Sequence, residues 1–201
     1  MRYLIRFSYD GSDFQGYQKQ PNKKTVQGNI EEVLSKRFGE EINIYSSGRT
    51  DKGVHAINQY AHFDVKENDI RKLKQYLNTY LSDSIYIKEI KKVEEDFHSR
   101  HSSKRKTYIY LINTNEYEVT KRKYELQYCK PINLAFLKET SLYFLGEHNF
   151  ENFTSVEDKR ENYVRTIYNI SIKETSGIIS IKIEGKGFLR YMVRNIVGAL
   201  I

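Results

Sequence analysis

Residues 2–93 switch repeatedly between two hydrophobic periods, and the order of those switches constrains the fold more than any other feature of this chain. RYLIRFSY, 2–9, alternates at the strand period of two and stops at Asp10-Gly11. TVQGNIEEVLSKRF, 25–38, repeats at the helical period: Val26, Ile30, Val33, Leu34 and Phe38 share one face, and Thr25 stands at the N-cap. Strand patterns return at 42–47 (INIYSS) and 56–65 (AINQYAHFDV). A second helix follows over 68–81, with Asn68 or Asp69 as cap and Ile70, Leu73, Leu77 and Leu81 along one side. SIYIKEIKKV, 84–93, closes the series as a strand. The order β-α-β-β-α-β predicts a split βαβ, or ferredoxin-like, unit: an antiparallel sheet with helices on one face.

Residues 94–106 are polar and basic, and they divide the chain into an N-terminal half, 1–103, and a C-terminal half, 104–201. The second half opens with a strand, TYIYLIN (107–113), followed by a charged, Tyr-rich connection over 114–130 without firm periodicity. The pattern then predicts a helix from Asn133 stopped by Gly146, strands over 164–174 and 177–185 joined across Thr175-Ser176-Gly177, and an apolar helix over 188–201. The class is α+β, with two sheets sharing a cleft as the economical architecture.

The 201 residues include 33 Lys and Arg against 26 Asp and Glu, a formal charge of +7. A basic balance favours a polyanionic partner, because phosphates neutralised by cations release counterions. A Lys-rich solvated surface from a biased genome gives the same count. The single cysteine, Cys129, excludes an internal disulfide and reads as a buried, inert thiol. His55, His98 and His101 do not stand at metal-ligand spacings and read as hydrogen-bonded histidines. The N-terminus is too short and charged for a signal peptide, and no apolar run reaches membrane-spanning length, so the expectation is a soluble, cytoplasmic protein.

Three clusters could carry chemistry. In Gly48-Arg49-Thr50-Asp51-Lys52-Gly53, side chains two apart share a face, so Arg49 can keep Asp51 ionised as a nucleophile or base. The same residues also make an ordinary glycine-flanked turn with a surface ion pair. In FHSRHSSKRKTYIY, 97–110, Arg100, Lys104, Arg105 and Lys106 adjoin Tyr108 and Tyr110, a composition that suits an unstacked base on an aromatic ring. A strand edge whose tyrosines finish the core accounts for it equally. In GKGFLRYMVRNIVG, 185–198, Phe188, Met192 and Val193 or Ile196 share a helical face while Arg190 and Arg194 lie four apart on another. Arg194 in a mostly apolar helix calls for a carboxylate partner, Asp51 among the candidates. YDGSDFQGYQKQ, 9–20, reads alone as a polar loop carrying Gln15, Gln18 and Gln20.

Taken in order, YDGSDFQGYQKQ with TVQGNIEEVL, SSGRTDKGVHA, FHSRHSSKRKTYIY, and GEHNFENF with GFLRYMVRNIVG resemble the tRNA pseudouridine synthase A family. The resemblance runs from Tyr9 to Gly198. It implies the pseudouridine synthase fold: two ferredoxin-like halves with antiparallel sheets, flanked by helices, around a basic cleft. It implies isomerisation of uridine to pseudouridine in the anticodon stem-loop of tRNA, with no cofactor, no metal, and a homodimer holding the tRNA. By matching residue, Asp51 is the catalytic nucleophile, Arg49 the arginine that enters the RNA stack and expels the target base, and Tyr108 the tyrosine that stacks on uracil and moves its proton. Arg194 matches the arginine that pairs with the aspartate. Arg100, Lys104 and Arg105 are expected to contact RNA, and Lys52 either adds a phosphate contact or faces solvent.

The sequence departs from the family in three places. Tyr17 stands where many members have tryptophan, Lys52 where alanine is frequent, and the family pattern continues past the last helix, so the resemblance implies a shortened chain. A non-catalytic RNA-binding module of the same fold is the alternative reading.

Overall fold

A computed structural model describes residues 1–66, 69–155 and 161–201. The chain divides into two compact units, Met1–Ser103 and Lys104–Ile201.

The first unit runs β1 (Arg2–Tyr9), α1 (Val26–Phe38), β2 (Tyr45–Ser46), β3 (Ala56–Asp64), α2 (Ile70–Tyr80) and β4 (Ile85–Val93). Its sheet order is β2-β3-β1-β4, and every pair is antiparallel. This is the arrangement that the β-α-β-β-α-β order predicts. Tyr3, Ile5 and Phe7 of β1 alternate inward and meet Phe63, Ile87, Ile30, Leu34, Leu73 and Leu77 in one buried cluster. The helix ends follow the sequence. Thr25 Oγ1 accepts the Gly28 N–H at 3.2 Å, Gly39 closes α1 at φ +71°, and Asp69 caps α2 through the Lys72 N–H at 3.0 Å. Asn68, the other cap considered, lies outside the described residues.

One strand is shorter than its pattern. Of residues 42–47 only Tyr45 and Ser46 pair with β3, although Ile42 and Ile44 are buried as alternation requires. Their backbone donors go to α1 instead. Ile42 N–H reaches Ser35 Oγ at 3.0 Å, and Ile44 N–H reaches the buried Glu31 carboxylate at 3.1 Å. Helix side chains thus satisfy groups that a neighbouring strand would otherwise take.

The second unit comprises β5 (Lys106–Asn113), β6 (Leu126–Gln127), α3 (Leu134–Ser141), β7 (Gly146–Asn149), β8 (Val164–Thr175), β9 (Ile178–Gly185) and α4 (Met192–Leu200). Its sheet order is β6-β5-β9-β8-β7. Ile179, Ile181 and Ile183 of β9 face a core completed by Ile112, Leu137, Met192, Ile196 and Val197. Ser176 (φ +51°) and Gly177 (φ +75°) form the two-residue turn between β8 and β9, where two successive positive φ angles match the strand twist.

Four sequence expectations change in this unit. The antiparallel pattern is broken by β6, which pairs parallel to β5 from within the connection that showed no periodicity. The helix from Asn133 gives way after Ser141 to a 3-10 turn, Leu142–Phe144, and Gly146–Asn149 is a strand. All four β7 residues are exposed, so it is held by backbone pairing with β8 and a Thr166 hydroxyl bond to Glu147 at 3.4 Å, and no alternation could reveal it. Cys129 is exposed rather than buried: its backbone turns into the left-handed region, φ +57°, as its N–H returns to Asn113 O at 3.0 Å. The last helix begins at Met192, because Tyr191 before it is left-handed at φ +62°. Phe188 and Arg190 therefore belong to the approach rather than to a helical face.

Candidate active site

Asp51 sits in the 47–55 connection between β2 and β3, at the end of the sheet where β1 finishes. Gln59 secures the base of this loop: its Oε1 accepts the Ser47 hydroxyl at 2.8 Å and its Nε2 donates to Gly48 O at 3.0 Å. Past Asp51 the chain turns tightly, with Val54 N–H on Asp51 O at 3.2 Å and Gly53 at φ +78°.

Residues 9–17, which read in the sequence as a polar loop, form the cradle in which this connection lies. The hydroxyls of Tyr9 and Thr50 are 2.8 Å apart, and Tyr17 N–H donates to Thr50 O at 3.0 Å. The approach is close enough to require glycine. A Cβ on Gly11 would fall 2.1 Å from Val54 O, and Gly16, at φ +109°, faces the backbone of residues 50–52. His55 Nδ1 accepts the Gly11 N–H at 3.1 Å and lies 2.9 Å from Asp10 Oδ1. Tyr17 is buried, and that burial pushes its phenol pKa up.

This cradle holds Asp51 half-buried, with Arg49 and Lys52 exposed on either side. Arg49 and Asp51 form no ion pair, and among the described residues of the first unit no side chain pairs with the Asp51 carboxylate. A carboxylate without an internal partner is open to a substrate atom as base or nucleophile.

Arg100 is exposed next to a ladder of rings. Tyr45 stacks on His62 (5.2 Å, 24°), His62 meets His98 edge-on at 4.7 Å, and His98 lies 4.4 Å from His101. Ser99 N–H donates to the buried His62 Nδ1 at 3.2 Å, and Arg100 N–H donates to His98 Nδ1 at 3.2 Å. Burial, then the neighbouring His98 ring and the Arg2 guanidinium, holds the His62 pKa below its ordinary value. His98 is lowered too, by desolvation and then by His101. Among the described residues no three His, Cys, Asp or Glu side chains converge as a metal-binding set.

In the second unit, Tyr108 is half-buried on β5 and meets Phe188 edge-to-face, ring centres 5.0 Å apart. Gly185 allows this packing, since a Cβ there would come within 3.1 Å of the Phe188 ring. Lys104 and Arg105 are exposed, and the Arg105 guanidinium lies 5.4 Å from the Tyr168 ring centre. Arg194, in the first turn of α4, is exposed, with its guanidinium 5.2 Å from the Tyr191 ring; Arg190 lies 4.8 Å from the same ring. Among the described residues of the second unit Arg194 has no carboxylate partner.

Residues 6–102 and 141–201 match the family model described as tRNA pseudouridine synthase. The chain belongs to this family. It is 41% identical over 202 residues to tRNA pseudouridine synthase A 2 of Bacillus cereus, covering 99% of this chain and 82% of that protein. It is 42% identical over 203 residues to tRNA pseudouridine synthase A of Thermosipho melanesiensis, covering 100% of this chain and 83% of that protein. The first matched stretch of the synthase family contains the whole cradle from Tyr9, the Asp51 loop and Arg100; the second contains Phe188 and Arg194. Tyr108, Lys104 and Arg105 fall between the two stretches but inside the span aligned with these relatives. Among the described residues no helix is long and apolar enough to cross a membrane.

The sequence reading missed Tyr9, Gly11, Gly16 and Thr50 as parts of the site. The available signal was two glycines within eight residues of a strand end, more than a single turn uses.

Proposed function

We propose that this chain isomerises uridine to pseudouridine in the anticodon stem-loop of tRNA, with Asp51 as nucleophile. The observation that carries the reading is the loop itself: a half-buried carboxylate without a partner in its own unit, held by a cradle of named hydrogen bonds and flanked by exposed Arg49 and Lys52. The reaction breaks the C1′–N1 bond, turns the uracil and joins C1′ to C5; the C5 proton leaves and N1 regains one, so the product is an isomer. A stacked nucleotide exposes neither C1′ nor C5 fully, so the base must leave the stack. Arg49 enters the vacated place. Tyr108 stacks on the extruded uracil and moves its proton, and Arg194 pairs with the Asp51 carboxylate.

Residues 1–103 form the half that brings the Asp51 loop, and 104–201 the half that brings Tyr108 and Arg194. Lys52, Arg100, Lys104 and Arg105 neutralise backbone phosphates, in keeping with the formal charge of +7. The working form is a cytoplasmic homodimer, and neither a cofactor nor a metal takes part. The test is tritium release from unmodified tRNA labelled at uracil C5. Release by the wild-type chain that vanishes in Asp51→Ala supports the proposal. Salt-sensitive tRNA binding without release would overturn it in favour of a non-catalytic RNA-binding module.

A further inference from the structure

The Asp51 carboxylate has no side-chain partner in its own unit, so its aim depends on the backbone that carries it. That backbone enters the residue through Thr50, which is pinned twice. Its carbonyl accepts the Tyr17 N–H at 3.0 Å, and its hydroxyl meets the Tyr9 hydroxyl at 2.8 Å. The first bond uses only main-chain atoms and would survive any side chain at 50. The second needs a hydroxyl at both positions.

Both anchors are rigid. Tyr9 ends β1, the strand bonded on both sides by β3 and β4, and it is 4% exposed. Its ring packs on Phe7 at 6.0 Å and on buried Tyr17 at 6.3 Å. Beyond Thr50 the turn closes on itself, with Val54 N–H on Asp51 O at 3.2 Å, before Val54 meets Gly11, and Gly53 at φ +78° lets the backbone turn after Asp51. The hydroxyl pair therefore transmits the position of the sheet to the residue preceding Asp51.

We propose that Tyr9 is a positioning residue for the Asp51 carboxylate, acting through the Thr50 hydroxyl. The inference rests on Asp51 being the reactive carboxylate. A reacting group must be held to about half an ångström, and a misplacement of about 1 Å costs on the order of a hundredfold in rate. A purely structural role for the pair makes a different prediction. Loss of the bond would then lower stability, and turnover would fall only as the folded fraction falls.

The experiment follows tritium release from C5-labelled tRNA by the full chain, together with each variant's unfolding midpoint. Tyr9→Phe and Thr50→Val each lower kcat roughly tenfold to a hundredfold and leave KM for tRNA within about twofold. Thr50→Ser, which keeps the hydroxyl, restores most of the rate. The double variant Tyr9→Phe/Thr50→Val is no slower than the worse single one, because both remove the same bond. Wild-type kcat in Tyr9→Phe, or losses that add in the double variant, overturns the inference while Asp51→Asn still abolishes release. Full turnover in Asp51→Asn overturns the underlying reading instead. A rate loss that follows the unfolding midpoint, unrepaired in Thr50→Ser, assigns the pair to stability alone and also overturns the inference.

Discussion

The buried Glu31 carboxylate of α1 accepts the Ile44 backbone N–H at 3.1 Å and the Gln27 side-chain amide at 2.8 Å, both on Oε1, while Lys19 Nζ stands 3.2 Å from Oε2. One side chain thus ties α1 to the segment that leads through β2 into the Asp51 loop. It also reaches the stretch that follows Tyr17. A charged group this deep is tolerated because donors converge on it.

Glu31→Ala strips those donors of their acceptor and leaves the Ile44 N–H buried. The expected loss is about 3 kcal/mol of unfolding free energy. Glu31→Gln keeps an oxygen for the Ile44 N–H and loses less. Urea unfolding of the two variants measures the difference, and equal stabilities would show that Glu31 does not secure this segment.

Acid should loosen the ring ladder at His62 and His98. Both groups have folded pKa values below the ordinary 6.5, so the unfolded chain binds more protons as the pH falls past that value. Their contribution is complete above 6.5 and is lost as pH falls from there through the lowered folded values. Unfolding midpoints recorded across this range should decline in the wild type and flatten in His62→Gln. A midpoint that rises on acidification would contradict the sign.

Tyr108→Phe preserves the edge-to-face contact with Phe188, which uses only the ring. Affinity for tRNA should stay within about twofold while kcat falls roughly a hundredfold or more, the range of one lost proton-transfer group. Single-turnover rates with filter binding separate the two effects. Unchanged turnover would remove the proton-transfer role from Tyr108.

Arg49→Ala should slow turnover at saturating tRNA by roughly tenfold or more, yet weaken binding by less than about threefold, because one cation is a small share of the phosphate contacts. The salt slope of log Kd should change by about one at most. Equal losses of rate and affinity would make Arg49 a phosphate contact instead of the side chain that enters the stack.

Much of the first unit could be read from the chain because its signals are local. Thr25, Gly39 and Asp69 act on neighbours a few residues away, and the inward alternation of Tyr3, Ile5 and Phe7 is a period-two pattern within one strand. β6 and β7 were illegible for the opposite reason. Their residues are mostly exposed, and only pairing with β5 and β8, distant in sequence, makes them strands. Cys129 and Tyr191 adopt left-handed backbone that no residue preference announces.

The candidate site divides along the same line. The sequence by itself determined the β-α-β-β-α-β order and the basic charge, and its resemblance to the family singled out Asp51, Arg49, Tyr108 and Arg194 as candidates. Only the tertiary structure decided that Tyr9 bonds Thr50, that Gly11 must admit Val54, and that Phe188 meets Tyr108. Those pairings join residues tens of positions apart. Their partners are chosen by how strands and loops converge in space, which no periodicity along the chain encodes.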